Sequence, residues 1–251
     1  EVDACKANGF DYVELEIGLD GLSVVGNPAS PVDCLSFGDL YALLGPESSR
    51  FTTWSDADAL ATELGGYDSF PDEPLTIVAP GEESGTYGSF IDLAIKSIAE
   101  ERGQPDDQLR AGYQSSGDDN VIIENAEGTN GALGFVGFSH ADSAGDKVKE
   151  FEIDGGDGCV APSRDTVIDG SYPLPRSLYI YVSEQAMADN PTVKPFVDFY
   201  LSADGLASVE QVDYVSLPPD RIDATRSAWT SATRGTGAPA AGSATSTPDG
   251  R

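Results

Sequence analysis

The chain is predicted to be an α/β protein, because short apolar runs with strand patterning alternate with segments whose apolar residues recur at three- and four-residue spacing. The clearest instance is LTIVAP (75–80), then the turn GEE with Ser84-Gly85-Thr86, then Tyr87, Phe90, Ile91, Ala94, Ile95 and Ile98 along one helical face until Gly103. Strand, tight turn and helix follow one another there, and no internal repeat is visible. The 251 residues allow one large domain or two of ordinary size.

The elements follow in order. EVDACKANG reads as a helix tail closed by Gly9, and the strand after it alternates Val13, Leu15 and Ile17 with Glu14 and Glu16. GLSVVGNP (21–28) is a second apolar run stopped by Asn-Pro. LSFGDLYALL (35–44) has the helical spacing of Leu35, Leu40, Leu43 and Leu44 with Ser36 as the capping type of residue, and a polar stretch around Trp54 leads to the 75–80 strand. Asp118-Asp119-Asn120 caps VIIENA, and GALGFVGFSH (131–140) reads as a glycine-interrupted buried strand. VKEFEIDGGDGC (148–159) is a strand running into a glycine loop, and SLYIYVS (177–183) is another strand. Asn190-Pro191 starts a helix lined by Val193, Phe196, Val197, Tyr200 and Leu201; YVSLP (214–218) is a short strand, and a helical piece up to Trp229 follows. The tail from Arg234 to Arg251 is low in complexity and is expected to be disordered.

Composition narrows the function classes. With 43 acids against 14 bases the formal charge is −29. Nucleic acid and anionic membrane both demand lysine and arginine patches, so both are excluded as partners. A small anion is not, because backbone N–H groups and hydroxyls can bind one whatever the surface carries. Only five of the bases are lysine, which fits a surface adapted to high salt. Cys5, Cys34 and Cys159 lie far apart with no CxxC spacing, and the chain has one histidine, so no zinc site is expected. One disulfide with one unpaired cysteine is the simplest oxidised reading; three reduced thiols is the other.

The chemistry concentrates at Ser84-Gly85-Thr86. A helix start exposes up to four unpaired N–H donors, and the aligned peptide dipoles place about half a positive charge there. Ser84 can cap, Gly85 lets an anion approach the main chain, and Thr86 adds a hydroxyl. The alternative is an ordinary serine cap. A Ser84-His140-Asp triad is not supported, since Ser84 lacks the G-x-S-x-G elbow. The DGGDG stretch (154–158) lacks the ladder of a calcium loop and reads as a turn. Arg176 is placed either to reach a cleft or to brace a hinge, the second being the preferred reading.

The order of these motifs carries a resemblance. SGT at a strand-to-helix turn, GALGFVGFSHA, GGDGCVAPS, DGSYPLPRSLYIYVS and VKPFVDFYL succeed one another as in the PstS-type phosphate-binding proteins of the high-affinity phosphate ABC transporter. The chain closely resembles that family from Glu1 to about residue 225, and in particular a branch with a DGLSVV…DCL segment. The resemblance implies a type II periplasmic-binding-protein fold with two lobes and a hinge, the anion being gripped between helix N-termini of both lobes. Residues 1–26 and 176–233 would form a partial first lobe, incomplete because the family has further residues upstream; residues 27–175 would form the second lobe, with crossings near Val25 and Leu174. Ser84, Gly85 and Thr86 match the family's phosphate-contacting S-G-T.

The implied function is an extracytoplasmic solute-binding protein, periplasmic or extracellular and tethered by an N-terminal segment where one exists. It would be a monomer that captures inorganic phosphate and delivers it to a membrane ABC permease, with no catalysis, cofactor or metal. A phosphate-ester hydrolase or a surface adhesion protein on the same scaffold is the alternative. Many members carry an arginine four residues before the serine, where this chain has Pro80, so the positive partner must come from elsewhere. An acidic group that accepts the phosphate proton would exclude sulfate, which has no proton to donate; the resemblance places that acid before Glu1, with Glu82 and Glu83 otherwise read as solvated loop acids. A Cys34–Cys159 bridge within the second lobe is the implied pairing, with the partner of Cys5 upstream.

Overall fold

The computed structural model describes residues 7–9, 11–67, 69–212 and 214–231. Cys5 and the tail from Arg234 lie outside the described residues. The expected α/β alternation is present. Strands β1 (Tyr12–Gly26), β2 (Cys34–Ser36), β3 (Thr76–Ala79), β4 (Gln114–Ser115), β5 (Ala132–Gly137), β6 (Lys149–Glu150), β7 (Glu152–Asp154), β8 (Cys159–Val160) and β9 (Pro175–Ser183) are interleaved with helices. The main sheet runs β4-β3-β5-β1-β6 with β9 also paired to β1, and β2-β7-β8 form a small second sheet.

Backbone contacts divide the chain into two units, one comprising the residues up to Leu19 and from Ser177 onward, the other Asp20–Arg176. The larger unit has a closed core. Phe90 stacks on Phe135 with ring centroids 4.0 Å apart, and Trp54, 1% exposed, packs against Phe70 and Phe151 while its indole N–H donates to the Gly131 carbonyl. Val25, Val78, Ile122 and Val136 fill the other side of the sheet. The Cys34–Cys159 disulfide is formed and joins β2 to β8. In the smaller unit Val13, Leu15, Val182, Val197 and Leu201 make a compact core. Glu16, 5% exposed, is neutralised there by Arg221, and its carbonyl accepts from Thr225. The same unit leaves Phe196 and Phe199 about three-fifths exposed, at 61% and 60%, beside an apolar cavity of about 390 Å³.

Four sequence expectations need correction. Residues 214–218 do not form a strand; Val215 makes an isolated bridge to Leu19. Leu35 belongs to β2, ahead of the helix Phe37–Leu44 that Ser36 caps. The runs 12–17 and 21–28 are one 15-residue strand, β1. The interval between them stays extended because its backbone is paired: Leu19 exchanges both hydrogen bonds with Val215, and Leu22 N–H donates to the Leu174 carbonyl. The 131–140 strand stops at Gly137, and Phe138–Ala144 is a helix that includes His140. The Tyr87 helix is helical throughout as expected, with a π-helical turn at Ile91–Ile95 and a close at Gly103, whose φ is 64°.

Candidate functional site

Register places the site at one edge of the larger unit's sheet. β3 is parallel to β4 and to β5, so the three strands deliver their C-terminal ends to the same edge. Among the described residues, three helices begin there: Gly85–Phe90 after β3, Asp119–Gly128 after β4 and Phe138–Ala144 after β5. β1 runs antiparallel to β5 with Leu22 opposite Gly137, which brings Asp20 to this edge as well. In open α/β sheets ligands bind at such an edge, where amide donors of helix starts converge.

The turn after β3 is built locally. Ser84 N–H donates to the Gly81 carbonyl at 2.9 Å, and the Pro80 carbonyl accepts from the Tyr113 hydroxyl at 3.2 Å. Burial pushes the Tyr113 phenol up to about 12, which keeps it a donor. Ser84 adopts the extended backbone of an N-cap, and its hydroxyl accepts from Thr86 N–H at 3.1 Å. The first turn of this helix carries no acid, in a chain with 43 of them. A Cβ built on Gly85 would meet nothing within 4 Å, so the main chain there is open on its outer side. The Glu83 carboxylate folds back over Gly81. Ser84 and Thr86 are half-buried and Gly85 is exposed at the positive end of this helix, with the Ser84 and Thr86 N–H groups bonded within the turn itself.

The neighbouring helix starts hold charge. Asp118 caps the second by accepting from Asn120 N–H at 3.0 Å, and Asp119 in its first turn pairs with His140 Nδ1 at 3.2 Å. Burial raises the Asp119 carboxyl above its ordinary value, against the opposing pull of His140. Asp20, 1% exposed, is ion-paired to Arg176, and a Cβ on Gly137 would stand 3.7 Å from both Asp20 Oδ2 and His140 Nδ1.

These placements separate the candidates. His140 pairs with Asp119 and the Ser84 hydroxyl accepts from Thr86 N–H of its own helix, an arrangement that does not join the two as nucleophile and base. Asp154 accepts from Gly156 and Gly158 N–H at 2.7 and 3.0 Å, the plain turn expected for DGGDG. In the sequence Asp119 reads only as part of a helix cap and Asp20 only as part of the DGLSVV motif; the available signal for Asp20 was an acid between the apolar residues of IGLDGLSVV. The apolar cavity of the smaller unit, lined by Ile17, Leu178, Phe196, Phe199, Val209 and Val212 among others, has no charged lining and is no seat for an anion.

Comparison with known proteins gives a consistent picture. A family model described as the PBP superfamily domain matches residues 1–204. Protein SphX of Synechococcus elongatus is 36% identical over 221 residues, covering 87% of this chain and 60% of that protein. Phosphate-binding protein PstS of Staphylococcus haemolyticus is 30% identical over 209 residues, covering 82% of this chain and 58% of that protein. The chain therefore spans about three-fifths of the length of the curated relatives it matches. Among solved structures, a possible phosphate binding protein from Planctomyces limnophilus superposes with a TM-score of 0.71 at 29% identity, covering 92% of this chain and 76% of that one. A putative phosphate ABC transporter substrate-binding protein from Clostridium perfringens, solved with bound phosphate, superposes with a TM-score of 0.60 at 24% identity, covering 87% and 76%. The α/β fold is that of the type II periplasmic-binding proteins.

Proposed function

Because the chain belongs to the PBP superfamily, we propose that it captures inorganic phosphate outside the cytoplasm and passes it to a membrane ABC permease, without catalysing a reaction on it. The observation that carries this reading is the acid-free, uncovered helix start at Ser84-Gly85-Thr86 in a chain of charge −29. So acidic a surface repels anions at long range, and a local positive dipole end left open is an exception that requires a use. Ser84, Gly85 and Thr86 would supply amide and hydroxyl donors to the tetrahedral oxyanion. The relatives are named for phosphate binding, which supports the same ligand.

No helix among the described residues is long and apolar enough to cross a membrane. The disulfide fits an oxidising compartment, periplasmic or extracellular. We take the protein to act as a monomer. The two contact units would be the two lobes of a binding protein, and hydrogen bonds to the ligand would favour the bound conformation over the free one.

The test is calorimetric titration of the intact protein with inorganic phosphate, alongside an assay of phosphate-ester turnover. Saturable binding without turnover is expected, and Gly85→Val should abolish it while leaving the melting temperature close to that of the parent, since a Cβ at this position meets no protein atom within 4 Å. Steady ester hydrolysis that vanishes in Ser84→Ala would overturn the reading in favour of an enzyme.

A further inference from the structure

The Ser84 turn has no cation of its own. From Phe51 to Ile95 the chain contains neither lysine nor arginine. A dianion held only by amides and hydroxyls would face the carboxylates of Asp20, Asp118 and Asp119 at the same edge of the sheet.

We propose that Arg176, oriented by Asp20, supplies the positive charge of this anion site. The assignment rests on the phosphate reading above. Asp20 is 1% exposed; one carboxylate oxygen holds Arg176, and the other, Oδ1, is buried without a donor. Arg176 Nε is likewise buried without an acceptor, while about a fifth of the side chain, 22%, remains accessible. A buried ion pair contributes to stability only when its remaining donors and lone pairs are satisfied, and this one leaves two atoms unsatisfied. As a stabilising device the pair is therefore poorly built. As a holder for a guanidinium it is well placed.

The guanidinium presents five donors in a rigid plane, so a carboxylate can grip one edge while another edge meets a second oxyanion. Asp20 sets that plane at the edge where β5 ends, beside Gly137, and the Asp119–His140 pair lies next to it. Burial raises the Asp119 carboxyl above its ordinary value, and the neighbouring His140 and Arg176 oppose that shift. Arg176 and the Ser84 amides would thus grip the anion from two sides. Asp20 is a positioning residue: it touches the arginine, not the ligand.

The experiment is titration of the intact protein with inorganic phosphate at several salt concentrations, comparing the parent with Asp20→Asn/Arg176→Met, Arg176→Lys and Gly85→Val. The double substitution removes both charges together and leaves neither buried alone. It should weaken phosphate binding on the order of 10- to 100-fold. It should also flatten the dependence of affinity on salt, which a merely structural pair would not do. Arg176→Lys should recover part of the loss by restoring the charge. If the double variant binds phosphate as the parent does while Gly85→Val does not bind, the Arg176 assignment fails and the Ser84 site stands. If Gly85→Val binds as the parent does, the phosphate reading fails and takes the assignment with it. Should the double variant not fold, Asp20→Asn alone decides: about tenfold weaker binding is expected from a loosened guanidinium, and unchanged affinity overturns the proposal.

Discussion

Two of the larger unit's serine-capped helices, one beginning at Ser36 and one at Ser84, each follow a strand. At Ser36 the start is sealed. Asp39, fully buried, accepts from Ser36 N–H at 2.8 Å, from the Ser36 hydroxyl at 2.6 Å and from Tyr67 N–H at 3.0 Å, while the Ser36 hydroxyl accepts from Asp39 N–H. Here the protein supplies its own anion to the helix dipole. At Ser84 the corresponding third helical position is Tyr87, whose hydroxyl instead accepts from Leu109 N–H inside the protein, and the first turn has no acid. One start is finished by an acid of its own first turn; the other has no such acid. The difference turns on one side chain three residues past the cap.

Breaking the seal gives the largest expected change. Asp39→Ala leaves the buried donors of Ser36 and Tyr67 without an acceptor and should cost about 3 kcal/mol in denaturant unfolding, with phosphate affinity unaltered. A loss below about 1 kcal/mol would mean that the two starts do not differ energetically as described. Sealing the open start is the complementary change. Gly85→Asp puts a carboxylate into the first turn where space is free, and calorimetry should show phosphate binding weakened more than about 100-fold, the equivalent of about 2.8 kcal/mol. A melt of the same variant should show stability held or raised by about 0.3–1 kcal/mol. A variant that still binds phosphate would remove the basis of the comparison.

Ser84→Ala sharpens the contrast between cap and ligand contact. It should reduce affinity about tenfold while costing only about 0.5–1 kcal/mol of stability, within the usual range for a lost cap. The smallest effect is in pH dependence. Burial holds the folded Asp39 carboxyl above its ordinary 3.8, with the Asp154 charge adding to the shift and the Ser36 and Tyr67 hydrogen bonds opposing it. Folded protein therefore binds this proton more tightly than unfolded, and stability attributable to Asp39 falls as pH rises from about 3.8 through the raised value. Unfolding curves of Asp39→Asn compared with the parent should move in favour of the variant over that window; the opposite trend would show that the hydrogen bonds outweigh burial.

Much of this was legible along the chain. Apolar spacing located the helix from Tyr87 to Ile98 and the strands at 75–80 and 177–183, because each has a strong period and a glycine or proline at an end. Ser36, Asp118 and Ser84 announced their caps through residue type alone. The boundary at Gly137 was not legible, since GFVGFSH is apolar enough for a strand and only the chain's departure from the sheet turns Phe138–Ala144 into a helix. The short helices Asp58–Glu63 and Arg164–Asp169 were missed for a related reason, being too brief to show a period. Of the site, Ser84, Gly85 and Thr86 stood out as a strand-to-helix turn with hydroxyls around a glycine.

Residue order alone specified the alternation of strand and helix, the caps and the case against nucleic acid and anionic membrane as partners, because those follow from backbone propensity, local hydrogen bonding and summed charge. Which caps are plugged and which stay open required the fold. The parallel register of β3, β4 and β5, with β1 laid antiparallel beside them, gathers three helix starts and the Asp20–Arg176 pair at one edge, from positions as far apart in the chain as 20 and 176. No local rule relates such positions; only strand pairing brings them together.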